Sequence, residues 1–166
     1  MPRFAVDHNF PEPLLEAAKP FLARWFGVEM IKQISAELIR EKDDWEVMLA
    51  LHQLQWDGLI GLDAKILSLP KEMAVVEQTK FTLVAIESAG DDPLRAIGQF
   101  LVHARRIAKE FDAERPQIFR IGRPRAFEVM SPWDCFKRIG QGRDPKEIFR
   151  GNRLTDEELE MQVLKD

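Results

Sequence analysis

A short apolar run that ends at an acidic residue opens the chain and constrains its fold more than any other feature. Residues 4–6 are too few for a helix and are typical of a buried strand, and Asp7 follows at once. An apolar repeat with a spacing of three and four residues then predicts a helix after Pro11. Ligands of open α/β sheets bind beyond the carboxyl ends of the strands, where Asp7 lies. A turn or helix cap would use the same residue, so Asp7 alone does not define a site.

The same order of elements recurs along the chain. Further apolar runs predict strands at residues 26–31, 59–62 and 81–86. Helical patterns alternate with them: one helix opens at Asp43 with Glu46 completing a capping box, and another opens at Asp92-Pro93. Continuous apolar strands that alternate with helices predict an α/β fold, with a mostly parallel sheet covered by helices on both faces.

The pattern changes after residue 115. Residues 118–121 and 127–130 predict two short strands, which fit a hairpin at the sheet edge or a small subdomain. We predict an irregular stretch over residues 133–150 and an acidic helix from Thr155. The chain thus divides into a domain over residues 1–115 and a basic C-terminal extension over residues 116–166, packed on or beside it.

The charges are distributed unevenly. Residues 102–153 hold 13 Lys and Arg against 7 Asp and Glu, whereas the segments on both sides are acidic. Such a basic segment suggests a surface for a polyanion or an acidic partner, with solvated charges as the alternative. Cys135 is the single cysteine, which excludes an intrachain disulfide and a cysteine metal cage. No apolar run approaches the roughly 20 residues of a membrane helix, and we expect a cytoplasmic protein.

Acidic residues mark three of the predicted boundaries. Asp7 and Asp63 each follow a strand, and Asp43 with Asp44 stands at a helix start. Because the carboxyl ends of parallel strands lie side by side, these carboxylates can meet, and together they would repel one another unless a cation neutralised them. Oxygen ligands without cysteine select a hard cation, Mg²⁺ or Mn²⁺. Asn9 would add a neutral oxygen.

Residues 4–11, 43–45 and 59–63 together resemble a PIN-like domain, and more narrowly the VapC-type toxin branch. This resemblance covers residues 3–110. It implies a three-layer α/β sandwich and a metal-dependent endoribonuclease, the toxin of a toxin–antitoxin pair. It also implies that Asp7, Asp43 and Asp63 are the catalytic, metal-binding acids, with Asn9 and Asp44 beside them. Members of the family act on RNA and often pair as homodimers.

The chain departs from the family pattern at two places. Gly61 stands where the branch usually carries Thr or Ser, so a supporting hydroxyl is missing. A fourth acid often follows the next strand, and Glu87, Asp91 and Asp92 are candidates, although Asp92 before Pro93 is more simply a helix cap.

Arginines alternate with aromatic residues in the predicted hairpin. Arg120, Arg123 and Arg125 lie between Phe119 and Phe127. Such a pattern suits the phosphates and bases of single-stranded RNA. It equally suits an acidic antitoxin, a second subunit or a merely solvated hairpin.

Two other classes of function remain open. An Asp after a strand also suits a receiver-like or phosphatase-like domain that forms an acyl phosphate on Asp7. The chain could also be a non-catalytic PIN-like interaction module, which would bind metal weakly.

Overall fold

The computed structural model describes residues 1–40, 42–87, 91–122, 127–140, 142 and 144–164, and six strands within them form one sheet. The strands are β1 (Arg3–Val6), β2 (Gly27–Met30), β3 (Gly58–Gly61), β4 (Thr82–Ile86), β5 (Gln117–Ile121) and β6 (Phe127–Met130). Each begins and ends within one residue of a predicted run. The apolar runs locate the strands well because most of these strands are buried on both faces of the sheet.

Eight α-helices accompany the strands in the described residues. They are α1 (Glu12–Leu22), α2 (Ile31–Ile34), α3 (Asp44–Gln53), α4 (Pro70–Thr79), α5 (Pro93–Glu110), α6 (Pro132–Ile139), α7 (Pro145–Gly151) and α8 (Asp156–Glu160). Helix α3 begins where the predicted capping box places it, and the Glu46 carboxylate accepts the backbone N–H of Asp43 at 2.9 Å. None of the described helices is both long and apolar enough to span a membrane.

Strand β1 lies between β2 and β3, at the point where the order of the strands changes direction. The strands lie in the order β2-β1-β3-β4-β5-β6, the first five are parallel, and β6 pairs antiparallel with β5. The predicted antiparallel pair at the sheet edge is therefore confirmed. The chain reverses its direction of progress across the sheet between β1 and β3, which makes that pair the topological switch point.

Two apolar cores flank the sheet and give the molecule three layers. One core contains Phe4, Val84 and Phe119 from the sheet, and helices α1 and α5 cover it. The opposite core contains Leu59 and Leu83, and α3, α4, α6 and α7 cover it. The α/β class with a mostly parallel sheet and helices on both faces is confirmed.

The C-terminal region differs from its predicted texture. Residues 133–150 were expected to be irregular, but α6 and α7 occupy most of that stretch. The prediction was wrong because Gly140, Gly142 and Pro145 separate two short helices, each started by a proline at its first turn. Strand β5 lies in the main sheet and α6 packs against α4, so residues after 115 share the core of the first region.

Candidate functional site

A cavity of about 160 Å³ opens at the carboxyl ends of β1 and β3, at the switch point of the sheet. Its polar wall contains Asp7, His8, Asn9, Asp44 and Asp63. The remaining wall is mostly apolar and includes Ile31, Leu38, Ile39, Val47, Leu59 and Ile66. It also includes Lys42, whose ammonium donates to the Val163 carbonyl at 3.1 Å and lies 3.5 Å from the Glu37 carboxylate. Residues far apart in the sequence thus bring three carboxylates to one concave surface.

Asp7 is held at the corner that follows β1. Its backbone N–H donates to the carbonyl of Ile60 at 2.9 Å, which anchors the corner to β3. Its carboxylate lies 2.7 Å from Nδ1 of His8 and accepts the side-chain amide of Asn9 at 3.2 Å. His8 is exposed and contacts Asp7 directly.

The two acids at the start of α3, Asp43 and Asp44, differ in their position relative to the cavity. Asp44 lines the cavity together with Asp7 and Asp63, whereas Asp43 is not among the described lining residues. Burial raises the pKa of Asp44, and the negative charges of Asp7, Asp63 and Asp43 raise it further. The sequence pattern singled out Asp43 as the principal acid, and the structure brings its neighbour Asp44 to the cavity wall instead.

Asp63 has a local structural partner as well as a place on the wall. Its side chain accepts the backbone N–H of Lys65 at 2.8 Å and so caps the 3₁₀ turn Ala64–Ser68. Gly61, two residues earlier, also lines the cavity, and a Cβ added there would have no heavy atom within 4 Å. Position 61 therefore has open space for a side chain beside the acids.

Glu72 on α4 is an acidic neighbour that sequence reasoning missed. It is buried, with 8% of its surface exposed. Burial raises its pKa first, and the charges of Asp44 and Asp43 add to the shift. A Glu in the first turn after Pro70 is an ordinary feature of a helix N-terminus, so no signal in the sequence distinguished it.

The donor chemistry of the cavity fits a hard divalent cation. Three carboxylates and the Asn9 side chain offer only oxygen ligands on its acidic side, and a cation would relieve the repulsion that raises the pKa of Asp44. In the part of the chain that the structure describes, no three His, Cys, Asp or Glu side chains are already arranged as a metal cage. Asp7 and Asp63 instead face protein donors, so binding would require these side chains to turn.

The predicted nucleic-acid residues of the hairpin have a different setting. Arg120 donates to the Glu87 carboxylate at 2.6 Å and lies 3.9 Å from Glu128, so its charge is compensated within the protein. This ion pair also occupies Glu87, one of the candidate fourth acids. Arg123 and Arg125 lie outside the described residues.

The aromatic residues of the hairpin pack inward. Phe119 is fully buried in the sheet, and the ring of Phe127 stacks on His103 with centroids 4.9 Å apart. The Arg106 guanidinium covers the same Phe127 ring at 4.2 Å. Both aromatic rings therefore serve the packing of the hairpin.

Comparison with protein-family models, with curated proteins and with solved structures gives no match to this chain. The fold and the cavity define its class as an α/β protein with an acidic pocket at the switch point of a mostly parallel sheet. Function must therefore be argued from the site.

Proposed function

We propose that this protein is a metal-dependent endoribonuclease with a PIN-like fold that hydrolyses RNA phosphodiester bonds, and that it acts as the toxin of a toxin–antitoxin pair. The observation that carries the proposal is the meeting of Asp7, Asp44 and Asp63 on one cavity wall, where burial, and then the charges of the neighbouring acids, raise the pKa of Asp44. Functional sites are where burial and like charges are arranged to shift pKa values, and a bound cation compensates such charges.

Each residue has a distinct task in this proposal. Asp7, Asp44 and Asp63 would hold Mg²⁺ or Mn²⁺, with Asn9 as a neutral partner and Asp43 adding negative charge from outside the cavity wall. When bound, the cation activates water and stabilises the charge that develops on the phosphate. The backbone bond from Asp7 to Ile60 fixes the first acid against β3, which keeps the acids of the two strands in register. His8 contacts Asp7 and would orient its carboxylate.

Calorimetry with Mg²⁺ and Mn²⁺ tests the cation site directly. We expect the wild type to bind and Asp7→Asn and Asp44→Asn to lose binding while remaining folded, because each variant removes a ligand charge. Asp156→Asn is the matched control, since it removes one exposed carboxylate from α8, outside the cavity. Cation at about 100 times its Kd would stabilise the wild type by about 2.7 kcal/mol, which thermal melts would detect. A wild type without metal affinity would contradict the proposal and favour a non-catalytic interaction module.

RNA cleavage tests the reaction. End-labelled single-stranded RNA should be cut by the wild type with Mn²⁺ or Mg²⁺ and left intact in EDTA. Asp44→Asn should lower the rate by about 100-fold or more, since removing a metal-held group costs several kcal/mol of transition-state stabilisation. Asp156→Asn should cut like the wild type. Cleavage that survives both EDTA and Asp44→Asn would point to a contaminating nuclease.

The strand order favours a second candidate. The order 2-1-3-4-5 is also that of flavodoxin-like and receiver-like sheets, whose ligands bind at the same β1/β3 switch point. A phosphoryl-handling domain would accept a phosphoryl group on Asp7 from a small donor such as acetyl phosphate. Intact mass measurement separates the two candidates: a stable gain of one phosphoryl group that Asp7→Asn abolishes, without RNA cleavage, would favour the second.

A further inference from the structure

A second cavity, of about 270 Å³, is lined by residues of α4, α6 and α7. Lys146, Arg150 and Arg153 line it together with Glu77, Trp133 and Phe149. Its volume is close to the lower end of the range for small-molecule pockets, about 300–1,000 Å³. The cavity is thus large enough for a ligand of several atoms rather than a single ion.

The three cations share one side of α7 because of their spacing. Positions 146, 150 and 153 follow the helical repeat of four and three residues, and the backbone bond from Arg153 N–H to the Arg150 carbonyl, at 3.3 Å, continues the turn beyond the helix end. All three side chains are exposed, and none forms an ion pair with a described residue. The concentrated positive charge is therefore available to a ligand.

The setting of these cations differs from that of Arg120 and Arg138. Those two arginines belong to the same basic segment, but Glu87 and Glu128 compensate them. The uneven charge of residues 102–153 is thus expressed at α7, where no described acidic group forms an ion pair with Lys146, Arg150 or Arg153, although Glu77 lines the same cavity.

An aromatic wall and an unsatisfied acceptor complete the cavity. The Trp133 ring is partly exposed and rests against Phe149, with centroids 5.5 Å apart, so its position is fixed. Lys137 lies 5.9 Å from the same ring, but it pairs with Asp134 at 3.5 Å and does not line the cavity. Oε2 of Glu77 is buried without a hydrogen-bond partner in the described structure. Cations, an indole face and an acceptor match the phosphate, the base and the hydroxyl or amino donors of a nucleotide.

We propose that the cavity formed by Lys146, Arg150, Arg153 and Trp133 binds single-stranded RNA and holds the strand that the acidic cavity cleaves. The cations contact phosphates and Trp133 stacks on a base. The proposal rests on the proposed function for its purpose, but the binding itself requires neither the acids nor a metal ion.

Helix α4 packs against α3, which carries Asp44 of the acidic cavity, and against α6 and α7, which line the second cavity. Near the start of α4, burial raises the pKa of Glu72, and the charges of Asp44 and Asp43 raise it further. Glu77, five residues later, lines the second cavity. Residues five apart on a helix lie about 140° apart around its axis, so the two glutamates face different sides of α4.

Fluorescence anisotropy with a labelled, uridine-rich RNA of about 12 nucleotides tests the proposal. The measurement is made in EDTA, which removes divalent cations, so that binding is measured without cleavage. The triple variant K146Q/R150Q/R153Q should bind about tenfold or more weakly, and its salt slope should fall by about 2 if all three side chains contact phosphates. The matched control R95Q/R105Q/K109Q removes the same charge from exposed, unpaired positions of α5 and should change Kd by less than about threefold.

The indole is tested separately. Trp133→Leu should weaken binding by about fivefold or more, and Trp133→Phe, which keeps an aromatic face, should retain most of the affinity. Circular dichroism and thermal melts must show both variants folded. Equal losses in Trp133→Phe and Trp133→Leu with intact folds would overturn base stacking on this ring.

The remaining outcomes separate this proposal from the proposed function. Equal losses in the two triple variants, or no RNA binding by the wild type, would overturn the RNA site and leave an acidic protein segment as the occupant. RNA binding that depends on α7 but is never followed by cleavage with Mg²⁺ or Mn²⁺ would support the binding site while contradicting the nuclease. Cleavage with an unchanged KM in K146Q/R150Q/R153Q would support the nuclease and overturn the role of α7.

Discussion

Gly58 in β3 is the position where a single methyl group should damage this fold most clearly. It pairs with Phe4 of β1 on one side and with Thr82 of β4 on the other, in the centre of the sheet. A Cβ added to Gly58 would lie 2.3 Å from the carbonyl oxygen of Thr82 and 2.6 Å from the Phe4 ring. Both distances are far below van der Waals contact.

Neither neighbour can move away cheaply. The Thr82 carbonyl belongs to the backbone of a fully buried strand, and Phe4 is fully buried with its ring edge-on to Phe26 at 5.4 Å and to Phe111 at 5.8 Å. Overpacking of such a core costs about 1–3 kcal/mol, and a clash with backbone places Gly58→Ala at the upper end, about 3 kcal/mol. For a chain of this length that loss lowers Tm by about 6–12 °C.

Urea denaturation followed by circular dichroism measures the effect, and the same strand provides its control. Gly61→Ala places a methyl group where no heavy atom lies within 4 Å, so this variant should match the wild type or gain up to about 1 kcal/mol from reduced backbone entropy of the unfolded state. The m-value should not change in either variant. If Gly58→Ala unfolds within about 0.5 kcal/mol of Gly61→Ala, the packing argument is refuted.

Three further predictions follow from buried or paired charges. Burial raises the pKa of Cys135 to about 11, so a thiol reagent at pH 8 should label the native protein far more slowly than the protein in guanidinium. Arg120→Met should cost about 1–3 kcal/mol in urea denaturation, because it leaves the partly buried Glu87 carboxylate unpaired. The raised pKa of Asp44 means that the contribution of this carboxyl to the stability of the metal-free fold is present below about pH 4 and is lost as the pH rises through its folded pKa. Asp44→Asn should therefore be more stable than the wild type in EDTA at pH 7, by thermal melting.

Each of these predictions has a clear contrary result. Rapid labelling of Cys135 in the native protein would show that the packing of α6 does not exclude the reagent from the thiol. If neither Arg120→Met nor Glu87→Gln changed the free energy of unfolding, solvent would be screening their ion pair. An Asp44→Asn variant that melts below the wild type in EDTA would mean that Asp44 stabilises α3 more than its neighbours repel it.

Much of the fold was predictable because it depends on local pattern. The strands are short and mostly buried on both faces, so an uninterrupted apolar run marks each of them. The starts of α3 and α5 were equally visible, since Asp43 and Asp92 precede the helices that they open. The helices α6 and α7 could not be predicted from the sequence. At 8 and 7 residues they have little periodicity to detect, and they depend on packing against α4.

The site was only partly predictable for a related reason. Sequence order showed that Asp7 and Asp63 follow strands, and parallel pairing is sufficient to bring such residues together. It favoured Asp43, whereas Asp44 lines the cavity, because adjacent residues at a helix start point in different directions and their surroundings determine which one faces the cavity. The burial of Glu72 beside these acids likewise depends on how α4 packs against α3.

The amino-acid sequence by itself therefore determined the α/β class, the strands and the edge at which the acids gather. Tertiary structure decided which charges remain available. It pairs Arg120 with Glu87, leaves Lys146, Arg150 and Arg153 open on α7, and brings Asp44 into the cavity. The physical reason is that strand formation responds to the neighbours of a residue along the chain, whereas compensation of a charge requires a partner within about 4 Å, and only the packed fold brings distant residues that close.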